Sequence, residues 1–321
     1  MKRFFAKNKI IIAIIIIAFA ALLITQKSYY ALIVGLIGVY AIVATALDIL
    51  FGYTGQISLG HAGLFAIGAY STTLLTMKLG IPTLISLILG SVITTIIGAL
   101  IAIPASKLVK HFLSLLMIAF GQIVYLIINS WMDFTGGSLG IMNIPDLNLF
   151  GLILDTNLKK AVFIWLILVI VLAVKKRIID SRIGYAFIAI RENPVAARGV
   201  GIDVRKYKVF AFSISAAMTG LAGGLYAYLR NFISPEAFNG TQSLLFMMML
   251  LFGGITTIEG PVIGAIILMI CREAFQGFAA LQGLVYAVFM LVVLIFFPTG
   301  LVGIATNISR KIKEAKNVKD R

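Results

Sequence analysis

Cysteine and histidine are almost missing from this chain of 321 residues, and acidic residues are few. The single cysteine, Cys271, excludes a disulfide framework within one chain. Only two histidines, His61 and His111, are present, so no Cys/His set with metal-ligand spacing exists. One histidine falls in an apolar run and the other at the edge of one, with no nucleophile–base set around either. His61 reads as a packed, hydrogen-bonded residue rather than a catalyst, and a membrane enzyme is a poor reading. No glycine is followed directly by lysine, so the phosphate loop G-x-x-x-x-G-K-[ST] is absent. ATP, if it is used, must bind another chain. Charged residues make up 12% of the sequence, against about 25% in soluble domains.

Apolar residues fill the space. The chain is 61% hydrophobic with a mean hydropathy of +1.07, which identifies an all-α polytopic membrane protein. The formal net charge of +15 suggests nucleic acid at first sight. In a chain this apolar, basic residues collected on cytoplasmic loops explain it better, and no nucleic-acid partner is expected. Lys2, Arg3, Lys7 and Lys9 precede an apolar run from Ile10 to Ile24. Ala18-Phe19-Ala20 mimics a signal-peptide cleavage site, but the run continues through Ala21–Ile24, as a retained first span would.

Hydropathy predicts about ten spans, near 10–25, 30–50, 57–77, 82–104, 112–131, 160–174, 208–229, 242–257, 261–275 and 282–298. Several are shorter than the roughly 20 residues of a straight crossing, so broken or re-entrant helices are expected. With the N-terminus inside, the inside segments carry four basic residues before span 1 and two at Lys107 and Lys110. Nine more lie between Lys175 and Lys208 and six from Arg310 to Arg321, against six outside. This asymmetry places both termini in the cytoplasm of a multi-pass plasma-membrane protein. The whole of 1–321 reads as one transmembrane domain, with a cytoplasmic loop at 175–208 and a basic cytoplasmic tail at 302–321.

Polar and small residues inside the spans carry the most information. The stretch 52–75, GYTGQISLGHAGLFAIGAYSTTLL, holds Gly52, Gly55, Gly60, Gly63 and Gly68 together with Gln56, Ser58 and His61. Glycine at this density permits close helix approach, and uncompensated amide or imidazole groups in hydrocarbon are costly. The segment should face protein or a water-lined path. Gly90, Thr94, Gly98 and Ala102 recur every four positions, as do Ala216, Gly220 and Gly224, and both series read as tight helix–helix seams. Spans 2–5 and 7–10 run in opposite senses, so an inverted repeat is compatible with the pattern, with GLFAIGA (63–69) loosely echoing GPVIGA (260–265). The outside segment TGGSLGI (135–141), followed by Pro145, Asp146 and Asp155, reads as turns. It either guides substrate or meets an external partner, or merely connects.

The loop KKRIIDSRIGYAFIAIRENPVAARGVGIDVRKYK (175–208) mixes charge with Tyr185, Phe187, Ile188, Ile190, Val195, Ala196 and Ala197. A short amphipathic helix around 186–198 is predicted, with Pro194 favouring a helix start or break and Gly199 and Gly201 supplying end positions. It is either an interfacial helix held by anionic lipid or a docking element for a soluble partner. In the second case Arg191 and Arg198 would pair with acidic groups.

At this loop a family likeness emerges. AIREN (189–193), Ala196-Ala197, Gly201-Ile202, Tyr207-Lys208, Ala211-Phe212, Ser215-Ala216 and AGGLY (222–226) resemble the permease subunits of branched-chain amino-acid ABC importers, the LivM-type branch most of all. GYTGQISLGHAG with GAY (52–70), TGGS (135–138), GGITTIEGPVIGA (253–265) and FPTGL (297–301) follow in the expected order. Two positions depart from the pattern. Asp48 stands where the family usually has Asn, and Thr256 where it has a small residue, often Gly; a basic partner or water would satisfy Asp48.

The resemblance implies a type II-like permease architecture without its own ATPase site. It pairs with a second homologous permease, two cytoplasmic ATPases that hold ATP and Mg, and an extracytoplasmic binding protein. It implies ATP-driven alternating access for branched-chain amino acids. Arg191, Glu192, Asn193, Pro194, Ala196, Ala197, Arg198 and Gly201 would form the coupling element. Gln56, Ser58, His61, Gln122, Asn129, Ser213 and Ser215 are candidates to line the path, though each equally reads as an interhelical hydrogen bond. A permease for urea, short amides or aromatic acids is a close variant, although AIREN followed by the Ala pair fits the amino-acid branch better. An ion-coupled secondary transporter would want acids at mid-membrane depth, and Asp48, Glu259 and Glu273 all fall near span ends.

Overall fold

The computed structural model describes residues 28–108, 110–149 and 151–274, together with Leu291. The expected first span, the span at 282–298, the motif FPTGL and the basic tail lie outside the described residues. Eight long helices organise the rest. They are α1 (Ser28–Leu47), α2 (His61–Met77), α3 (Thr83–Ala105), α4 (Lys110–Ser130), α5 (Asn157–Ile179), α8 (Val204–Arg230), α9 (Gly240–Gly253) and α10 (Gly260–Ala274). Two short helices, α6 (Arg182–Glu192) and α7 (Pro194–Gly199), occupy the 175–208 loop. A two-stranded ribbon, β1 (Asn148–Leu149) with β2 (Leu152–Ile153), folds the outer loop back on itself. Four helical segments, Ser28–Tyr53, Thr83–Ala105, Phe112–Ser130 and Val204–Arg230, are long and apolar enough to cross a membrane.

Polar contacts gather at two ends and fix how the helices thread. At one end Asn157 Nδ2 donates to Ser28 and Lys78 Nζ to the Asp133 carbonyl, 2.8 Å each; the Tyr29 hydroxyl meets Glu273. Lys160 there pairs with Asp146 at 2.6 Å and donates to Asn231. At the other end Asp48 meets Lys175 at 2.7 Å and Gln56 Nε2 meets the Lys208 carbonyl at 3.3 Å. Along the chain the long helices alternate in sense between these ends, as the hydropathy count requires.

The small-residue series found in the sequence are two sides of one seam. A Cβ on Gly98 would sit 2.4 Å from Ala216 Cβ, and one on Gly220 would sit 2.5 Å from Thr94 Cβ. Helix α2 joins them: a Cβ on Gly68 would lie 2.2 Å from the Gly220 carbonyl oxygen. Three backbones therefore approach closely enough for van der Waals packing to replace the hydrophobic drive that lipid removes. Beside the seam, Phe65 packs on Phe238, Phe246 and Tyr226 with ring centroids 5.3–5.5 Å apart.

Two helices start inside the layer. The Ser215 hydroxyl links His61, at the start of α2, to the Ala46 carbonyl, although α1 and its π-helical extension (Asp48–Tyr53) run seven residues further. At 1.5 Å per residue, α2 begins about 10 Å short of that end. Helix α9 likewise begins beside Phe238, deep in the aromatic cluster, and Ser243 Oγ accepts the Ala62 N–H at 2.9 Å. Thus α2 and α9, third and eighth in the span order, start side by side and run apart. That is the relation inverted halves impose. The echo between GLFAIGA and GPVIGA instead falls on α2 and α10, which run in the same sense, so it does not connect those halves.

Candidate translocation and coupling sites

Residues 55–60 leave the helical path after Thr54, and the chain returns to it at His61. Gly55 takes φ +68°, and a Cβ on Gly60 would strike the Met117 carbonyl oxygen at 2.1 Å, so this strand of chain lies flat against α4. Gln56 is buried, its Nε2 donating to Thr54 Oγ1 at 2.9 Å and to the Lys208 carbonyl. Ser58, His61 and Ser215 are fully buried and form one chain of 2.8 Å hydrogen bonds ending on the Ala46 carbonyl. The Ser215 proton goes to that carbonyl, so its oxygen accepts from His61 Nε2–H, and Nδ1 accepts from the Ser58 hydroxyl. A neutral imidazole satisfies every donor.

The remaining path candidates lie elsewhere. Ser213 donates back to the Val209 carbonyl at 2.9 Å within its own helix. Gln122 is exposed on the outer face of α4 among Ile118, Ile123, Leu126 and Ile127, and Asn129 is half-buried two turns on. Gln122 opens onto a groove between α2, α4 and α9. Leu59, Ile118, Phe238 and Leu244 give it apolar walls, and Asn239 and Ser243 add polar groups. The structure therefore brings Ser58, His61 and Ser215 together, and sets Gln122 apart from them on the groove.

The 175–208 loop holds two helices where the sequence suggested one. Asn193 is extended (φ −152°, ψ 103°) and its Oδ1 accepts the N–H groups of Val195 and Ala196. Pro194 forces this break, because it disfavours a helical residue before it yet suits the first position of a new helix. Ile190, Ala197 and Val204 pack together beneath, while Tyr185, Val195 and Val200 stand exposed. Arg198, Glu192, Ala196 and Gly201 are also exposed. Arg191 is not: its guanidinium donates to the Gly52 carbonyl at 2.5 Å.

That bond leads to a buried cluster no periodicity reveals. Asp48 and Lys175 are both fully buried, Oδ2 to Nζ 2.7 Å. Asp48 Oδ1 also accepts the Thr256 N–H, and Lys175 Nζ donates to the Thr257 carbonyl, each at 2.8 Å. The Tyr53 hydroxyl donates to the Thr256 carbonyl at 2.8 Å. Counting Lys175 among the cytoplasmic charges missed its role; the signal available was an acid at position 48 inside an apolar run. The two positions that depart from the family pattern, Asp48 and Thr256, are hydrogen-bonded to each other.

Residues 29–298 match the family described as branched-chain amino acid transport system / permease component. Among individual proteins, the high-affinity branched-chain amino acid transport system permease protein LivM of Escherichia coli is 29% identical over 82% of this chain and 67% of its own length. A probable LivM of Methanocaldococcus jannaschii is 25% identical over 83% of this chain and 90% of its own length. The LivH permease protein of Salmonella typhimurium is 26% identical over 82% and 91%. No solved structure matches the chain.

Proposed function

Because the chain belongs to the family of branched-chain amino acid transport permease components, an integral membrane family rather than an enzyme family, we propose that it forms half of the path of an ATP-driven importer. A second, homologous permease forms the other half. Relatives of both LivM and LivH type match this one chain, which supports a pair of like folds facing each other. Two cytoplasmic ATPases hold ATP and Mg and drive the pair, and an extracytoplasmic binding protein delivers the substrate. Both termini lie in the cytoplasm of the plasma membrane, in keeping with the excess of basic residues on that side.

The observation that carries this reading is the groove between the starts of α2 and α9. It sits inside the layer, it is apolar with few polar groups, and it is open along α4, where Gln122 would otherwise face hydrocarbon. A small aliphatic amino acid fits such a lining, and a second permease closing the open side turns the groove into a conduit. Nucleotide binding to the ATPases supplies the differential free energy that a two-state element needs. It reaches the spans through α6 and α7, whose exposed Tyr185, Val195 and Val200 offer an apolar docking face with Arg198 beside it. Ser58, His61 and Ser215 hold α1, α2 and α8 in register beside that conduit.

The test is reconstitution of the chain with and without a second permease and candidate ATPases, followed by uptake into vesicles. ATP-dependent uptake of leucine, isoleucine or valine only by the full set is the expected result. Uptake driven by an ion gradient with this chain alone overturns the proposal. Urea, short amides and aromatic acids in the same panel decide between the amino-acid reading and its nearest variant. Against an ion-coupled carrier stands Asp48, whose carboxylate is already matched by Lys175 and a backbone N–H.

A further inference from the structure

A buried ion pair is a poor device for holding helices together. Replacing both partners with neutral groups of like volume is often harmless or stabilising, while removing one is costly. What distinguishes Asp48 and Lys175 is therefore their connectivity rather than their strength. The π-helical segment Asp48–Tyr53 receives Arg191 of α6 on its Gly52 carbonyl. The same segment grips the α9–α10 turn twice, through Asp48 to the Thr256 N–H and through Tyr53 to the Thr256 carbonyl. Lys175 closes the knot by joining Asp48 to the Thr257 carbonyl from α5. There is no slack: a Cβ on Gly52 would lie 2.0 Å from Asp48 Oδ1 and 3.2 Å from the Thr256 nitrogen.

From the Thr256 turn, α9 runs 14 residues to Gly240 and Ser243 on the groove. That is a rod of about 20 Å at 1.5 Å per residue. A displacement of α6 carries Gly52 with it, then the turn, then α9. We propose that the Asp48–Lys175 pair is the junction that passes motion of the cytoplasmic helix to α9 and so reshapes the groove, making both side chains positioning residues for coupling. The inference rests on the permease function proposed above.

The experiment uses the complete importer in vesicles and reads substrate taken up per ATP hydrolysed, alongside recovery of the assembled complex. The double variant D48N/K175M removes both charges at nearly constant volume. It should assemble and hydrolyse ATP, with uptake per ATP reduced about fivefold or more. R191Q, which leaves the buried pair intact, should lower the same ratio and covers the case in which the double variant fails to assemble. An unchanged ratio in an assembled double variant, or in R191Q, overturns the junction: the cluster is then packing alone. Uptake by the unaltered complex without ATP overturns the permease reading itself, and the junction with it.

Discussion

At His61 every proton is already committed. Ser58 gives one to Nδ1, Nε2–H gives one to Ser215, and Ser215 gives one to Ala46. Removing the Ser215 hydroxyl leaves a buried imidazole donor unmet, which costs about 1–3 kcal/mol. Ser215→Ala should therefore lower the melting temperature in detergent, while Ser213→Ala, which loses only a bond within its own turn, should leave it unchanged. Thr256 adopts φ +60°, a conformation that a β-branched residue takes only under strain. Thr256→Gly keeps the N–H that Asp48 accepts and should raise stability by about 1 kcal/mol, measured by the same melting assay. Hydropathy and spacing marked Ser58, His61 and Ser215 as polar residues that need company. They could not say the company was mutual, because the partners lie 154 positions apart.

Helix seams were the most legible elements. The four-residue spacing of Gly90, Thr94, Gly98 and Ala102, and of Ala216, Gly220 and Gly224, is local, and local periodicity fixes which face must be small. That α2 would be the third member was hidden, since its glycines were mixed with the polar cluster. Gly68 makes the tightest approach on that helix, so Gly68→Ala should overpack the seam by about 1–3 kcal/mol. The expected readout is earlier unfolding in detergent with undiminished membrane insertion. The split between α6 and α7 was half legible: Pro194 announced a break, but the amphipathic pattern ran across it. Lys175 was illegible for a different reason. A lysine after an apolar run looks like the beginning of a loop, and only the fold supplies the carboxylate that draws it inward.

The chain as a whole presents two faces with different demands. Outward-facing Ile88, Val92, Ile96 and Leu100 on α3 are plain apolar residues suited to lipid. Helix α4 departs from this at Gln122, and α7 with the turn after it exposes Val195 and Val200 beside charged residues. Both exceptions sit where the proposed partners dock. Arg198→Glu places an acid on the exposed rim of α7 without touching the Arg191–Gly52 bond. It should abolish co-purification of the ATPases while membrane insertion is kept, and retained co-purification would remove α7 from the docking surface. The order of the described long helices and their alternation in sense followed from hydropathy alone. The mid-depth start of α9 was foreshadowed by the short span at 242–257, whereas that of α2 was not, because the span at 57–77 took in Ile57 and Leu59, which precede the helix.

The cluster around Asp48 leaves a mark that descent should preserve. A carboxylate at position 48 demands a cation at 175 and forbids a side chain at 52, while an amide at 48 demands neither charge. Among distant cousins, then, acid and base at these two sites should be gained or lost as a unit, and lineages holding one without the other should be rare.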